Sequence, residues 1–184
     1  LISKASLHNF SLLTEKDIRV GSIIIIEKAN MIIPQVVAVI SSPENSTPIP
    51  IPTTCPICNQ PVEPEDDTNK TINCTNNQCP SRQLQSLLFA VSRPNLDIDR
   101  LSTATLTYLY EAGLVTDLAA LYEIDENTLA NATTGTNKNG TQSIVGEKNA
   151  KHIMKHIEKS KTLPLERILP ALSITTIGHR AAKT

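Results

Sequence analysis

Apolar positions along this chain change their period as the sequence proceeds. Residues 20–40, VGSIIIIEKANMIIPQVVAVI, are dense in Ile and Val, with Gly21 and Pro34 as punctuation. Short runs of β-branched residues predict β-strands buried on at least one face. The next stretch, SSPENSTPIPIPTT, has prolines at 43, 48, 50 and 52 and predicts an extended, semi-rigid spacer. From Leu84 the spacing becomes helical. Leu84, Leu87, Leu88 and Val91 fall at i, i+3, i+4 and i+7, and Pro94 stops that helix. Short helices with small turns follow, among them LTYLYEAG ended by Gly113 and DLAALYEI begun by an Asp117 cap. TTGTNKNGTQS, before Ile144, reads as a flexible loop. In SIVGEKNAKHIMKHIEKSK, Ala150, Ile153, Met154 and Ile157 form one apolar stripe, while Lys148, Lys151, Lys155, Lys159 and Lys161 point in other directions.

Composition adds a chemical constraint. The chain has 184 residues, 40% of them hydrophobic, enough for one large or two to three small domains. Its four cysteines sit in one window, as CPIC (Cys55, Cys58) and CTNNQC (Cys74, Cys79). The opening LISKASLHNF has no leader pattern and no apolar run is long enough for a membrane span, so the expectation is a soluble cytosolic protein with no membrane partner. Thiols in a reducing compartment favour one structural zinc per chain over the competing readings, a disulfide pair or an iron centre. Between the knuckles lies NQPVEPEDDTNKTIN, polar and turn-rich, which has no core of its own. Four protein thiolates leave no position for a reactive water, so the metal holds a fold and does not catalyse.

Anion-binding chemistry is the second signal. Ile144-Val145-Gly146 supplies a tight turn whose glycine leaves the first N–H groups of the following helix uncovered, an arrangement that favours phosphate. ALSITTIGHRAAKT repeats the layout with Ile177-Gly178 and Arg180, and LDIDRLSTATLTYL is a degraded copy with Arg100 and Ser102 where glycines would serve. The plain alternative is that each glycine is a helix-start turn in an ordinary α-bundle. Charge sorts along the chain: from Lys138 onward nine basic residues oppose three acidic ones, a balance of +6, against −7 before it. A basic end beside anion-ready hairpins points to a duplex binder that grips the backbone, and 3% aromatics with no Trp argue against base stacking. The fold class is therefore multidomain α+β: a β module (1–42), a proline-rich linker (43–54), a small four-cysteine zinc finger (55–80) and a truncated α-helical helix-hairpin-helix array (81–184).

The order of these parts resembles the middle and C-terminal portion of bacterial-type NAD-dependent DNA ligases along essentially the whole chain. The matching motifs are KASLHN (Lys4 to Asn9), similar to that family's Ala-Thr-Leu-His-Asn; DIRVGSIIIIEKANMIIPQVVAVI, similar to its OB-fold strands around Ile-Pro-x-Val, which implies a partial OB-fold β-barrel at 1–42; CPIC…CTNNQCPSRQ; LDIDRL; and VGEKNAKHIMKHIEKSK. The resemblance implies nick sealing in duplex DNA through protein-AMP and DNA-adenylate intermediates, with NAD and Mg2+ bound outside this stretch. It places Lys4, His8 and Asn9 near the nick, where they touch DNA or order the loop; a local hydrogen-bond network is the competing reading for His8 and Asn9. Gly146, Lys148, Gly178 and Arg180 would meet phosphates of nicked duplex without sequence specificity, the protein acting as a monomer. Departures from the family are Asn30, Arg100 and Ser102, the last two leaving the DNA contact of the hairpin at 98–102 open. No lysine here is followed by x-Asp-Gly, the family's nucleophile motif, so this stretch alone is expected to be inactive. A non-enzymatic zinc and helix-hairpin-helix module of a repair or recombination factor is the alternative.

Overall fold

In the computed structural model the described residues are 2–29, 33–65, 68, 70–136, 140, 142–174 and 176–183. Asn30 and Lys138 lie outside them. The chain divides into two compact units, Leu1–Asn77 and Gln78–Thr184.

The first unit contains α1 (Phe10–Glu15), β1 (Ile23–Ala29), β2 (Ile33–Ser41), β3 (Val62–Pro64) and β4 (Ile72–Cys74). Asn9 opens α1 because its side-chain oxygen accepts the Leu12 N–H at 2.9 Å, satisfying a donor the helix cannot satisfy itself. β1 and β2 pair antiparallel from Ile23 opposite Ser41 to Ala29 opposite Ile33, with register irregularities between Ile23 and Ile24 and between Ile25 and Ile26. A small core forms from Leu13, Ile18 and Val36, with Ala5, Leu7, Ile24, Val39 and Ile49 packed against it. Ile23, Ile25, Ile26, Ile33 and Ile40 are exposed. The isoleucine-rich strands thus bury one set of side chains and leave another in water. The proline-rich stretch begins with a turn, Ser46 N–H to the Pro43 carbonyl at 3.0 Å, then bridges Arg19 through Pro48 and buries Ile49 in this core.

The second unit holds α2 (Pro80–Val91), α3 (Thr103–Glu111), α4 (Leu118–Glu123), α5 (Glu126–Asn131), β5 (Thr133–Thr136), β6 (Gln142–Ile144), α6 (Glu147–Ser160), α7 (Leu165–Ala171) and a 3-10 turn at Ala181–Lys183. Side chains begin three of the helices: Ser102 accepts from Thr105 N–H, Asp117 from Ala120 N–H and Asp125 from Thr128 N–H, at 3.1, 2.9 and 2.9 Å. α3 ends in a Schellman motif, in which Gly113 at φ 70° donates to the Tyr110 carbonyl and Leu114 to the Leu109 carbonyl. Glycine takes that left-handed value without steric cost. The helices enclose one core, and in it Leu106, Leu109, Val115, Leu129, Ala150 and Ile153 have no solvent exposure.

One segment differs from its expected state. Within the stretch expected to be a flexible loop, β5 and β6 form an antiparallel hairpin, with Thr133 opposite Ile144 and Thr136 opposite Gln142. Its threonines favour extended backbone through β-branching, yet Thr, Ser and Gln carry no hydrophobic alternation for a periodicity reading to detect. Residues 137–139 and 141 of that stretch lie outside the described residues. Among the described residues no helix is long and apolar enough to cross a membrane.

Leu109 is fully enclosed, so Leu109→Ala should cost about 2–5 kcal/mol through lost transfer energy and the residual cavity. Lys151→Ala, on an exposed face of α6, should stay within about 0.5 kcal/mol of the parent. Urea unfolding midpoints compare the two.

Candidate metal centre and nucleic-acid interface

The four cysteines are placed by three kinds of local structure. At the first knuckle the Cys55 N–H donates to the Gln60 carbonyl at 2.8 Å and the Asn59 N–H to the Cys55 carbonyl at 2.9 Å, closing a turn that carries Cys58. Asn59 sits at φ 56°, a left-handed value that Asn tolerates better than most residues. Cys74 ends β4, opposite Val62 of β3. Cys79 is the N-cap of α2, followed by Pro80, whose missing N–H would have had no helical partner anyway.

The ligand atoms of the four cysteines lie within 4.8 Å of one another, and Cys58 Sγ is 3.5 Å from Cys74 Sγ. A sulfur tetrahedron around a metal at ~2.3 Å has edges of roughly 3.8 Å. The cluster can therefore accept one tetrahedral ion with little movement. The Cys58–Cys74 separation far exceeds a sulfur–sulfur bond of about 2.05 Å, and no disulfide joins any of the four. Loss of hydration pushes the Cys74 thiol up to about 11, reinforced by hydrogen bonds with Cys58 and Cys55 and opposed by the Asn76 backbone N–H. A bound cation reverses that preference, because its charge favours the thiolate. All four ligands expected from the sequence are thus brought together.

On α6, Gly146 is the N-cap at φ 75°, ψ 156°, with no side-chain cap. A Cβ added there would meet nothing within 4 Å, so the space beside this turn is open. The turn is fixed from behind: Val145 N–H donates to the Ala132 carbonyl and Gly146 N–H to the Ala130 carbonyl, both at 2.9 Å. Lys148 stands exposed on the first turn of α6. Gly178 and Arg180 are also exposed, but Gly178 is outside the left-handed region and its carbonyl accepts the Ala182 N–H at 3.0 Å, just ahead of the 3-10 turn. The two glycine starts are therefore built differently. At 98–102, Arg100 adopts φ 65° and its guanidinium donates to Asn149 Oδ1 at 2.7 Å. Lys4 and His8 are exposed, whereas half-buried Asn9 commits its side-chain oxygen to the α1 cap.

A third cluster escaped the sequence reading. His152 and His156 lie one turn apart on α6 with ring centroids 4.6 Å apart, and His152 Nε2 is 2.9 Å from Asp99 Oδ2. His156 Nδ1 is 2.9 Å from the Asp97 carbonyl. The hydrogen bond from His152 holds the Asp99 carboxyl below the usual range. The signal was the His-x3-His spacing within KHIMKHIEK, which puts both rings on one helical face.

The family described as NAD-dependent DNA ligase OB-fold domain matches residues 1–47. Over 185 residues the chain is 35% identical to DNA ligase 2 of Deinococcus deserti, covering 99% of this chain and 25% of that protein. It is 36% identical to the DNA ligase of Halalkalibacterium halodurans and 37% identical to that of Anoxybacillus flavithermus, in each case over 100% of this chain and 26% of the relative. The chain spans about a quarter of the length of these relatives. Identity of 35–37% over 99–100% of this chain, together with the OB-fold match at residues 1–47, supports the chain being a fragment of a bacterial NAD-dependent DNA ligase.

Proposed function

We propose that this chain is the DNA-binding portion of an NAD-dependent DNA ligase that seals nicks in duplex DNA. The observation that carries the reading is identity of 35–37% to DNA ligases over the whole chain. In the complete protein a lysine would take AMP from NAD and pass it to the 5′-phosphate of a nick, and the 3′-hydroxyl would then displace AMP. Those steps would use NAD and Mg2+ held outside this stretch, in the bacterial cytosol, by a monomer. No lysine of this chain is followed by x-Asp-Gly, so the nucleophile lies elsewhere.

The part left to this chain is grip. At Gly146 the helix start has no side-chain cap and an open approach, so backbone N–H groups and the helix dipole can face a phosphate oxygen. Lys148 would add a point charge within the first turn, and Gly178 and Arg180 would supply a further contact. Such contacts hold the backbone and read no bases. Lys4 and His8 would approach the nick, with Asn9 ordering their loop through the α1 cap. Cys55, Cys58, Cys74 and Cys79 would hold one zinc, which supplies a structural cross-link in a segment with little apolar core.

Three measurements test the reading. Elemental analysis of the reduced protein should find zinc bound through sulfur; Cys58→Ser should lower that zinc content and loosen the segment between the knuckles, read by proteolysis. Incubated with NAD labelled in its AMP moiety and with nicked DNA, the chain should acquire no covalent label and seal no nicks; labelling would place the nucleophile within it. Gly146→Val should weaken binding to nicked duplex by more than it lowers stability, because a β-branched residue at φ 75° is strained and also covers the helix start. Lys148→Ala should weaken binding equally for unrelated sequences and make the salt slope shallower by about one contact. Affinities across a salt series, with circular dichroism to establish folding, decide this. Folded variants that bind as the parent does would return α6 to an ordinary surface helix.

A further inference from the structure

We infer that Asp99, His152 and His156 form a second metal site, independent of the thiolate cluster and selective for a zinc-class divalent cation. One ligand atom from each residue lies within 4.8 Å of the others. Two come from a single rigid helix: positions 152 and 156 of α6 are one turn apart, and the buried neighbours Ile153 and Ile157 fix the rotation that places both imidazoles on the same side. The third comes from the turn before α3, where Arg100 at φ 65° follows Asp99.

The contacts around the cluster are those a metal site requires. His156 Nδ1 lies 2.9 Å from the Asp97 carbonyl and 3.4 Å from the Asp99 amide nitrogen, so the turn holds the ring in place, an outer contact of the kind that orients a ligating histidine. His152 Nε2 and Asp99 Oδ2, now 2.9 Å apart, share a proton that a cation would displace. Arg100 is paired with the same carboxylate, its Nε 3.8 Å from Asp99 Oδ2, while its terminal nitrogen is turned to Asn149. A cavity of about 600 Å³, lined in part by Asp97, Asp99, Arg100 and His156, opens at the cluster and leaves room for water as a further ligand. Two imidazoles and one carboxylate suit zinc, nickel or copper, whereas calcium and magnesium prefer oxygen ligands throughout. Three protein ligands leave a coordination position open, in contrast to the closed cysteine cluster. A bound ion would clamp the turn at 97–100 to α6.

The test is metal stoichiometry and ligand type in the 184-residue chain. Loaded with excess zinc and desalted, the parent should carry one more zinc than the thiolate cluster holds, and X-ray absorption should show nitrogen and oxygen scatterers beside sulfur. The double variant His152→Ala/His156→Ala should lose that zinc and its nitrogen signal while keeping the sulfur-bound ion. Asp99→Asn should weaken the second zinc by at least about tenfold. Cys58→Ser should leave the nitrogen-bound ion in place. If the double variant fails to fold by circular dichroism, His152→Gln carries the same expectation. A parent with no nitrogen-bound zinc, or histidine variants that retain it, overturns the proposal.

Discussion

Burial of one face of α6 fixes the geometry on which the other features of the second unit depend. Ala150 and Ile153 are fully enclosed and Ile157 nearly so, and this spacing permits a single rotational setting of the helix. Once those side chains face the core, Lys148, Lys151 and Lys155 face solvent, and His152 and His156 lie beside Asp99. The axial position is set as firmly, since the N–H groups of Val145 and Gly146 are tied to carbonyls at the end of α5. A helix held in both rotation and translation presents its charged groups at fixed positions. The core therefore supplies the precision and the surface supplies the chemistry.

Much of this was legible in the sequence, for identifiable reasons. Cysteine spacing reveals a four-thiol cluster because sulfur is rare and the placement of each thiol is set by local structure, a turn, a strand end and a helix start. The apolar stripe of α6 and the Asp117 cap were legible because each depends on residues within one or two turns. Where the reading failed, the determinants lay elsewhere. The β5–β6 hairpin is built from Thr, Gly, Gln and Ser, whose alternation carries no contrast in polarity. The proximity of Asp99 to His152 spans 53 residues and arises only when the turn before α3 packs near α6. Asn9 could be read either as a DNA contact or as part of a local hydrogen-bond network, and its oxygen accepts the Leu12 N–H as the cap of α1, a role the sequence reading did not name.

The first unit shows the limits of local pattern in another way. Residues 23–26 are four consecutive isoleucines, and an uninterrupted apolar run cannot state which side chains face inward. Pairing with β2, with its register irregularities, selects Ile24 for the core and leaves Ile23, Ile25 and Ile26 exposed. An isolated two-stranded hairpin is marginally stable in water. Here Leu13, Ile18 and Ile49 add apolar support from outside the sheet.

Ser102 and Gly146 begin two helices of the same unit in opposite ways. The serine hydroxyl already accepts an N–H of the first turn of α3, while no side chain does so for α6. An anion approaching α3 has to compete with an internal ligand that contributes about 1 kcal/mol and is present at effectively unlimited local concentration. At α6 the same donors remain available, and the helix forgoes that contribution to its own stability. The two starts also follow different backbone paths, Ser102 at φ −69° and Gly146 at φ 75°, so placing serine at 146 would have to supply the missing cap from a conformation that a side chain disfavours.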